Sequence, residues 1–416
     1  MLTATGAGKN FVLSGRQIFA LREDSLSLEQ NMTRGARCAV NGADPTALAH
    51  RIIHNRAMQQ DNGIQVLIAG GGACGAVAAL AAHEAGADVL VLEQDAVARG
   101  STAMSQGLIC AAGTAAQRQA GIEDGADRFF ADIMAKTRGQ TDPDLARTVA
   151  DYAGPTLDWL IHAHDLPHVL DARFRAAYGH SVPRVHGWEA HGGQDLIQFL
   201  HARLQACGID VVFRARLADV VAGADSRVEA AIVERPDGTR ETIACNTLIL
   251  GTCGFAANAD LVAAHMPELA HATHHGHEGN DGTGLLLGAR LGGALADMGA
   301  YQGYGMLTDP QSISVPPGFL VEGAVLVTVA GARFVHETED ISGLVLPILA
   351  QPGGVAWVIY DAGIEARCAY IPETQALLGL NAPRAGDTPA ALAQRIGADP
   401  VALQRALDQA HAAAEA

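Results

Sequence analysis

The chain has 416 residues, beyond the size at which a single hydrophobic core keeps growing, so more than one domain is expected. Hydrophobic residues make up 49% and aromatic residues only 5%, a composition suited to helices packed closely on a sheet in an α/β protein. The 45 acidic and 28 basic side chains leave a formal charge of -17, which repels phosphate backbones and anionic headgroups and argues against nucleic acid and membrane surfaces as partners. No apolar run reaches the roughly 18 residues that span a bilayer, and no secretory pattern opens the chain, so a cytoplasmic protein is expected. The cysteines, Cys38, Cys74, Cys110, Cys207, Cys245, Cys253 and Cys368, include no C-x-x-C pair and read as buried thiols.

In chain order, residues 1–63 read as an extension with no assigned role, although Pro45 to Met58 has the pattern of a helix after an Asp44 cap. Translation starting at Met58, just before the first convincing strand, is one explanation of that stretch; a regulatory or partner-binding arm is the other. From Ile64 the pattern sharpens. Ile64 to Ala69 is a short apolar strand, Ala76 to Ala85 a small-residue helix and Ala87 to Glu93 a second strand, together a βαβ unit. Helices are predicted at Gly125 to Thr137, Pro143 to His164 and Gln194 to Cys207. Strands are predicted at Asp210 to Phe213, Val228 to Val233, Thr247 to Leu250, Ala324 to Val329 and Val355 to Tyr360, before a helical tail from Pro389.

The first βα turn reads Gly70-Gly71-Gly72-Ala73-Cys74-Gly75. Gly70 permits the tight bend, Gly72 lets backbone approach a pyrophosphate, and Gly75 allows helix to lie close on strand, with Ala73 at the helix start. Glu93 ends the second strand, where a carboxylate accepts from the hydroxyls of an adenosine ribose. This fingerprint alone does not separate FAD from NAD. Three later features favour FAD. They are the polar loop Gly100-Ser101-Thr102 with Ser105 and Gly107, the second glycine turn Gly251-Thr252-Cys253-Gly254-Phe255, and the run Asn280-Asp281-Gly282-Thr283-Gly284 ahead of a small-residue helix, a run whose carboxylate is expected on the flavin side of the cofactor.

The segments Gly100 to Thr114, Thr252 to Phe255, Gly279 to Gly282, Gly331-Ala332-Arg333-Phe334 and Gln351-Pro352-Gly353, in that order, resemble the fumarate reductase and succinate dehydrogenase flavoprotein superfamily. The soluble, flavocytochrome-c-like fumarate reductases are the nearest in pattern, over about residues 64 to 410. The resemblance implies a Rossmann-like FAD-binding domain of glutathione-reductase type over 64–298 and an α+β capping domain over 299–416, with a small-molecule substrate held between them. It also implies an FAD-dependent oxidoreductase acting on CH-CH bonds, in which hydride passes between flavin N5 and a carbon beside a carbonyl or carboxyl group. An unidentified electron donor or acceptor would complete turnover. Gln94 and Leu217 join the residues that the resemblance assigns to the cofactor. A histidine for covalent flavin attachment is missing at about Ser101, so FAD is expected to be non-covalent.

The resemblance also has departures. The family's proton-donating arginine falls on Ile341, its substrate-holding histidine on Tyr304, and a Thr-Glu pair on Pro316-Pro317, so fumarate itself is not the expected substrate. A 3-ketosteroid dehydrogenase-like enzyme is an alternative, although the tyrosine base of that group also falls near Ile341. The family's glycine-rich return to the flavin domain is not reached by Ala416, which raises a truncated, split or degenerate non-catalytic flavin-binding protein as a further alternative.

Candidate catalytic residues are Tyr301 and Tyr304, whose phenols can donate to a carbonyl or shuttle a proton, and His336, which titrates in a suitable range. The rival readings are core tyrosines and a surface histidine beside Glu337. His271, His274, His275, His277 and Glu278 could ligate a metal if a loop gathered three of them, but a substrate or flavin loop or a solvated turn is preferred and no metal is expected. Arg184 and His186, ahead of Gly192-Gly193, are read as ordering their loop.

Overall fold

A computed structural model describes a two-residue strand at Leu13–Ser14 and residues 63–171, 179–224 and 227–415. The predicted helix at Pro45 to Met58, like most of the 1–63 extension, lies outside the described residues. The described residues divide into two compact units, one within 63–267 and 274–299, the other made of Leu13–Ser14 and residues 268–273 and 300–415.

The first unit is organised by a six-stranded sheet in the order 210–212, 89–92, 64–69, 240–250, 228–234, 216–222. Strand Ile64–Ala69 pairs in parallel with Val89–Leu92 on one side and with the second half of Arg240–Leu250 on the other. The first half of Arg240–Leu250 instead runs antiparallel to Val228–Glu234, which pairs antiparallel with Arg216–Ala222. Val89–Leu92 is buried throughout, as expected of a parallel strand covered on both faces.

One sheet face carries Ile68, Val89 and Val91 against Ala76, Ala79 and Leu80 of helix Ala73–Glu84 and Ile197, Leu200 and Leu204 of helix Gly193–Ala206. The small residues of the first helix let it lie close to the sheet. On the other face Leu67, Leu90 and Leu92 share a cluster with Leu217, Val233 and Ile243 of the antiparallel strands and with Leu287 of helix Thr283–Arg290. A small antiparallel sheet joins Ile109–Cys110, Val185–Gly187 and Val169–Leu170.

Helix Pro143–His164 has the predicted limits because Asp142 caps it, accepting from Asp144 N at 2.9 Å and Leu145 N at 3.1 Å, with Pro143 in the first turn. The three strands of the small sheet were not predicted, and in the six-stranded sheet two strands depart from expectation. Arg240–Leu250 starts seven residues before the predicted Thr247, and Arg216–Ala222 was not predicted.

The second unit is built on Val325–Val327 paired antiparallel with Trp357–Ile359, which also pairs with Leu13–Ser14. Phe319, Leu326, Val358, Tyr360 and Ile364 form one core, and Val327, Trp357, Leu392 and Leu403 a second beneath helices Pro389–Ile396 and Pro400–Glu415. No helix of the described residues is long and apolar enough to cross a membrane.

Candidate cofactor site

The fingerprint glycines are enforced by contacts, not by the turn alone. Gly70 has φ +104°, and a Cβ on it would stand 2.3 Å from the carbonyl oxygen of Gly251. A Cβ on Gly75 would stand 1.9 Å from the carbonyl oxygen of Gly70. Gly72 differs, since the nearest atom to a Cβ there is Thr102 Oγ1 at 3.5 Å, an ordinary contact. The space over Gly72 is therefore open to something other than the protein fold. Helix Ala73–Glu84 starts from Gly72 with no side-chain cap and no acidic residue in its first turn, which leaves the positive end of its dipole for an anion.

Glu93 is only 8% exposed, and its carboxylate is fixed by two backbone donors, Gly71 N to Oε2 at 2.9 Å and Asp95 N to Oε1 at 2.8 Å. A carboxylate has about four lone-pair sites, so this geometry leaves capacity for the two hydroxyls of a ribose. His201, from helix Gly193–Ala206, adds a bond between Nε2 and the Gly71 carbonyl at 2.6 Å. The sequence reading missed His201. The only signal available was its place on a helix expected to cover the sheet.

The Gly100 to Gly107 loop closes on the fingerprint. Ala73 N donates to Thr102 Oγ1 at 3.0 Å. Ser105 donates to the Thr102 carbonyl at 2.8 Å and accepts from Gly107 N at 3.0 Å. Ser101 Oγ accepts from Asn280 Nδ2 at 2.9 Å and stands 3.4 Å from Cys253 Sγ. Gly282 N donates to the Gly254 carbonyl at 3.1 Å, Thr283 N to Asp281 Oδ1 at 2.9 Å, and Thr252 Oγ1 fills the space beside Gly284. The structure thus brings together Gly70, Gly72, Ala73, Gly75, Glu93, Ser101, Thr102, Ser105, Gly107, Thr252, Gly254 and Gly282. Asn280 was named only as part of its run, and Cys253 was read with the other cysteines as a buried thiol; Cys253, like Cys74, is exposed, and Asn280 and Cys253 both touch Ser101.

Beyond Glu93 a cleft of about 690 Å³ opens, lined among others by Gln94, Met104, Arg214, Arg216, Glu234 and Asp281. Arg216 is shared between Glu234 at 3.2 Å and Asp281 at 3.9 Å. Leu217 is 4% exposed with its side chain in the sheet core, so only its backbone is available to a ligand. Gly100, at φ +83°, begins the short helix Ser101–Met104. The uncapped helix end, the open space over Gly72 and the buried carboxylate of Glu93 together fit the diphosphate and ribose of FAD.

A buried polar cluster supports the other side of the Gly107 loop. Arg184 is fully buried and forks onto Asp124, through Nε at 3.0 Å and NH2 at 2.8 Å, while NH1 reaches Asp132 at 2.6 Å. Burial pushes the Asp124 carboxyl up, but hydrogen bonds from Arg184 and Gln117 together outweigh it and hold the group below the usual carboxylate range. His186 bonds Thr114 Oγ1 at 2.9 Å, and His168 bonds the Gly107 carbonyl at 2.8 Å. Burial holds both histidines below the ordinary imidazole value. Of these groups His168 holds the Gly107 carbonyl, while Arg184 and His186 tie their own segment to Asp124, Asp132 and Thr114.

In the second unit, Tyr304 donates its hydroxyl to the Val315 carbonyl. Tyr301 has its phenol pushed above the usual value by burial, then by Glu268 and Asp340. His336 is exposed, and Arg333 is paired with buried Glu337, whose Oε1 also accepts from Leu326 N at 2.8 Å. Among the described residues no group of three or more histidine, cysteine or acidic side chains could hold a metal.

Residues 65–411 match the family described as FAD binding domain. Over 301 residues the chain is 29% identical to a probable fumarate reductase of Shewanella frigidimarina, covering 71% of this chain and 50% of the relative. Over 356 residues it is 26% identical to the urocanate reductase of Eggerthella lenta, covering 83% of this chain and 58% of the relative. The chain therefore spans about half the length of the curated relatives it matches. Among solved structures, the open conformation of a flavocytochrome c3 fumarate reductase is similar with a TM-score of 0.68 at 26% identity, over 89% of this chain and 64% of that one. A 3-ketosteroid-delta4-(5alpha)-dehydrogenase from Rhodococcus jostii shares the fold at a TM-score of 0.62 and 23% identity, over 84% of this chain and 76% of that one. With its fingerprint glycines, the open space over Gly72 and the buried carboxylate of Glu93, the chain belongs to the FAD binding domain family of flavoproteins, and FAD is its cofactor.

Proposed function

We propose that the chain is an FAD-dependent oxidoreductase that forms or reduces a carbon-carbon double bond beside a carbonyl or carboxyl group, on a small molecule other than fumarate. The convergence of the Gly70, Gly100, Gly251 and Gly282 loops around Glu93 carries this reading. The activities for which its relatives are named, fumarate and urocanate reduction, supply the bond type. Ile341, where those reductases would need an arginine, argues against fumarate.

When bound, FAD supplies a centre that accepts or donates hydride. The chain's own residues bind and orient. The uncapped end of helix Ala73–Glu84 takes the diphosphate, Glu93 the ribose hydroxyls, and the cleft at Gln94, Arg216 and Asp281 the adenosine half. Ser101, Thr102 and Gly107 lie along the ribityl side, with no histidine present at Ser101 for covalent attachment. Tyr301, Tyr304 and His336 are the proposed proton-handling groups of the second unit. A cytoplasmic location and an unidentified electron donor or acceptor are part of this proposal.

A second reading, flavin binding without turnover, draws support from Tyr304 and Arg333, whose polar atoms are engaged by Val315 and Glu337. The test is to reconstitute the protein with FAD, reduce it anaerobically, and challenge it with α,β-unsaturated acids and 3-ketosteroids. Reoxidation by a substrate supports the enzyme. Retained flavin that no substrate reoxidises favours the second reading, and failure to take up FAD refutes both.

A further inference from the structure

In the loop that carries Asp281, the side chain of His277 reaches the segment that follows Glu93. Its Nδ1 accepts a hydrogen bond from Gly279 N at 3.1 Å, and its Nε2 stands 2.8 Å from Asp95 Oδ2. Acceptance at Nδ1 assigns the proton to Nε2, which stands beside the carboxylate as a close polar contact and not as an aligned hydrogen bond. Both partners are largely withdrawn from water, the side chains being 11% and 20% exposed. Asp95 Oδ2 is buried and receives no well-aligned hydrogen bond; the other cation near it, Arg99, is 3.9 Å away.

Asp95 is itself fixed to the cofactor carboxylate. Its N–H donates to Glu93 Oε1 at 2.8 Å, and its carbonyl accepts from Arg214 N at 2.9 Å. Gly279 sits so close to Gln94 that a Cβ there would meet Nε2 at 1.7 Å. The Gln94-Asp95 segment and the Gly276 to Gly279 segment therefore face each other in the wall of the cleft. Of the histidine-rich stretch, His277 is the residue that makes this contact within the chain.

The geometry points to His277 as a positioning residue for FAD, a clasp between the segment after Glu93 and the loop presenting Asp281 and Gly282. This inference rests on the proposed seat of the adenosine half in the cleft. A clasp holds the loop in its binding conformation before the cofactor arrives, which lowers the ordering cost of association.

The full chain is compared as wild type, His277→Ala, His277→Asn and His277→Gln, with FAD affinity read from flavin fluorescence on reconstitution and melting temperature read on the apoprotein. The Asn amide reaches roughly the Nδ1 position and the Gln amide roughly the Nε2 position, so each restores one contact. His277→Ala is expected to weaken FAD about tenfold, as for the loss of one hydrogen bond and one close polar contact. The Asn and Gln variants recover part of that loss, and the apoprotein melts as the wild type does. Unchanged affinity in His277→Ala overturns the clasp. So does an equal loss in all three variants, or a loss matched by a lower apoprotein melting temperature, since either assigns His277 to packing. A wild type that binds no FAD refutes the proposed function instead, and the clasp falls with it.

Discussion

Two glycines three residues apart should fail in opposite ways. Gly75→Ala places a methyl 1.9 Å from the Gly70 carbonyl oxygen and 3.2 Å from Ile68 Cγ2, with neither atom on a side chain that can swing clear. Gly70 is itself held against Gly251, so the helix must move off the strand. Overpacking of this kind costs about 1–3 kcal/mol or more. At roughly 2–4 °C per kcal/mol for a unit of this size, the apoprotein should melt several degrees lower. In Gly72→Ala the methyl meets only Thr102 Oγ1, at 3.5 Å, so the apoprotein should melt as the wild type does. The methyl instead occupies the opening over the helix end, where the diphosphate needs backbone approach, and FAD affinity should fall by about two orders of magnitude, as for loss of roughly 2–3 kcal/mol of charge-assisted hydrogen bonding. The assay is a thermal melt of each apoprotein beside an FAD titration. If Gly72→Ala binds FAD as the wild type does, the opening is not the diphosphate site; if Gly75→Ala melts unchanged, the close approach of helix and strand is not rigid.

Three further outcomes follow from the buried groups. Arg184→Ala leaves Asp124 and Asp132 without their cation and should cost about 3–5 kcal/mol by denaturant unfolding, with Arg184→Lys intermediate because an ammonium cannot fork onto both. Stability should fall in two stages on acidification. His168, His180 and His186 have folded pKa values lowered by burial, so the unfolded chain binds more protons as pH drops below about 6.5, and stability is lost from there. Asp124 and Asp132, lowered in the fold, contribute stability above the ordinary carboxylate value of about 3.9 and lose it as pH falls further. Melting temperatures that stay level from pH 7 to 5 would contradict the first stage. Tyr304→Phe frees the Val315 carbonyl and should cost about 1 kcal/mol; a larger loss of turnover than of stability, with FAD affinity kept, would mark the phenol as a proton-handling group.

The βαβ unit and its glycine fingerprint were legible because their signals are local. An apolar strand, a glycine turn and an acid at the end of the next strand lie within 30 residues of each other. Helix Pro143–His164 was legible from its cap at Asp142 and Pro143. Arg216–Ala222 and the first half of Arg240–Leu250 were not, since Arg216 and Arg240 both pair with Glu234 on an antiparallel ribbon, which dilutes the apolar pattern of a strand. The partners that complete the site were invisible for another reason. His201 meets Gly71 across 130 residues of chain and Asn280 meets Ser101 across 179, and no spacing rule reaches so far.

The strand Arg240–Leu250 acts as a ruler. Its first residues are indexed against Val228–Glu234, and its last residues deliver Gly251, whose N–H reaches the Ala69 carbonyl at 2.7 Å and whose oxygen excludes any side chain at Gly70. A slip of one residue in the hairpin would advance Gly251 by about 3.3 Å and turn each side chain of the strand to the wrong face. The number of residues between Glu234 and Gly251 is thus part of the specification of the cofactor entrance. A one-residue insertion or deletion there should be as damaging as replacing a fingerprint glycine, even though it falls on a solvent-facing hairpin far along the chain.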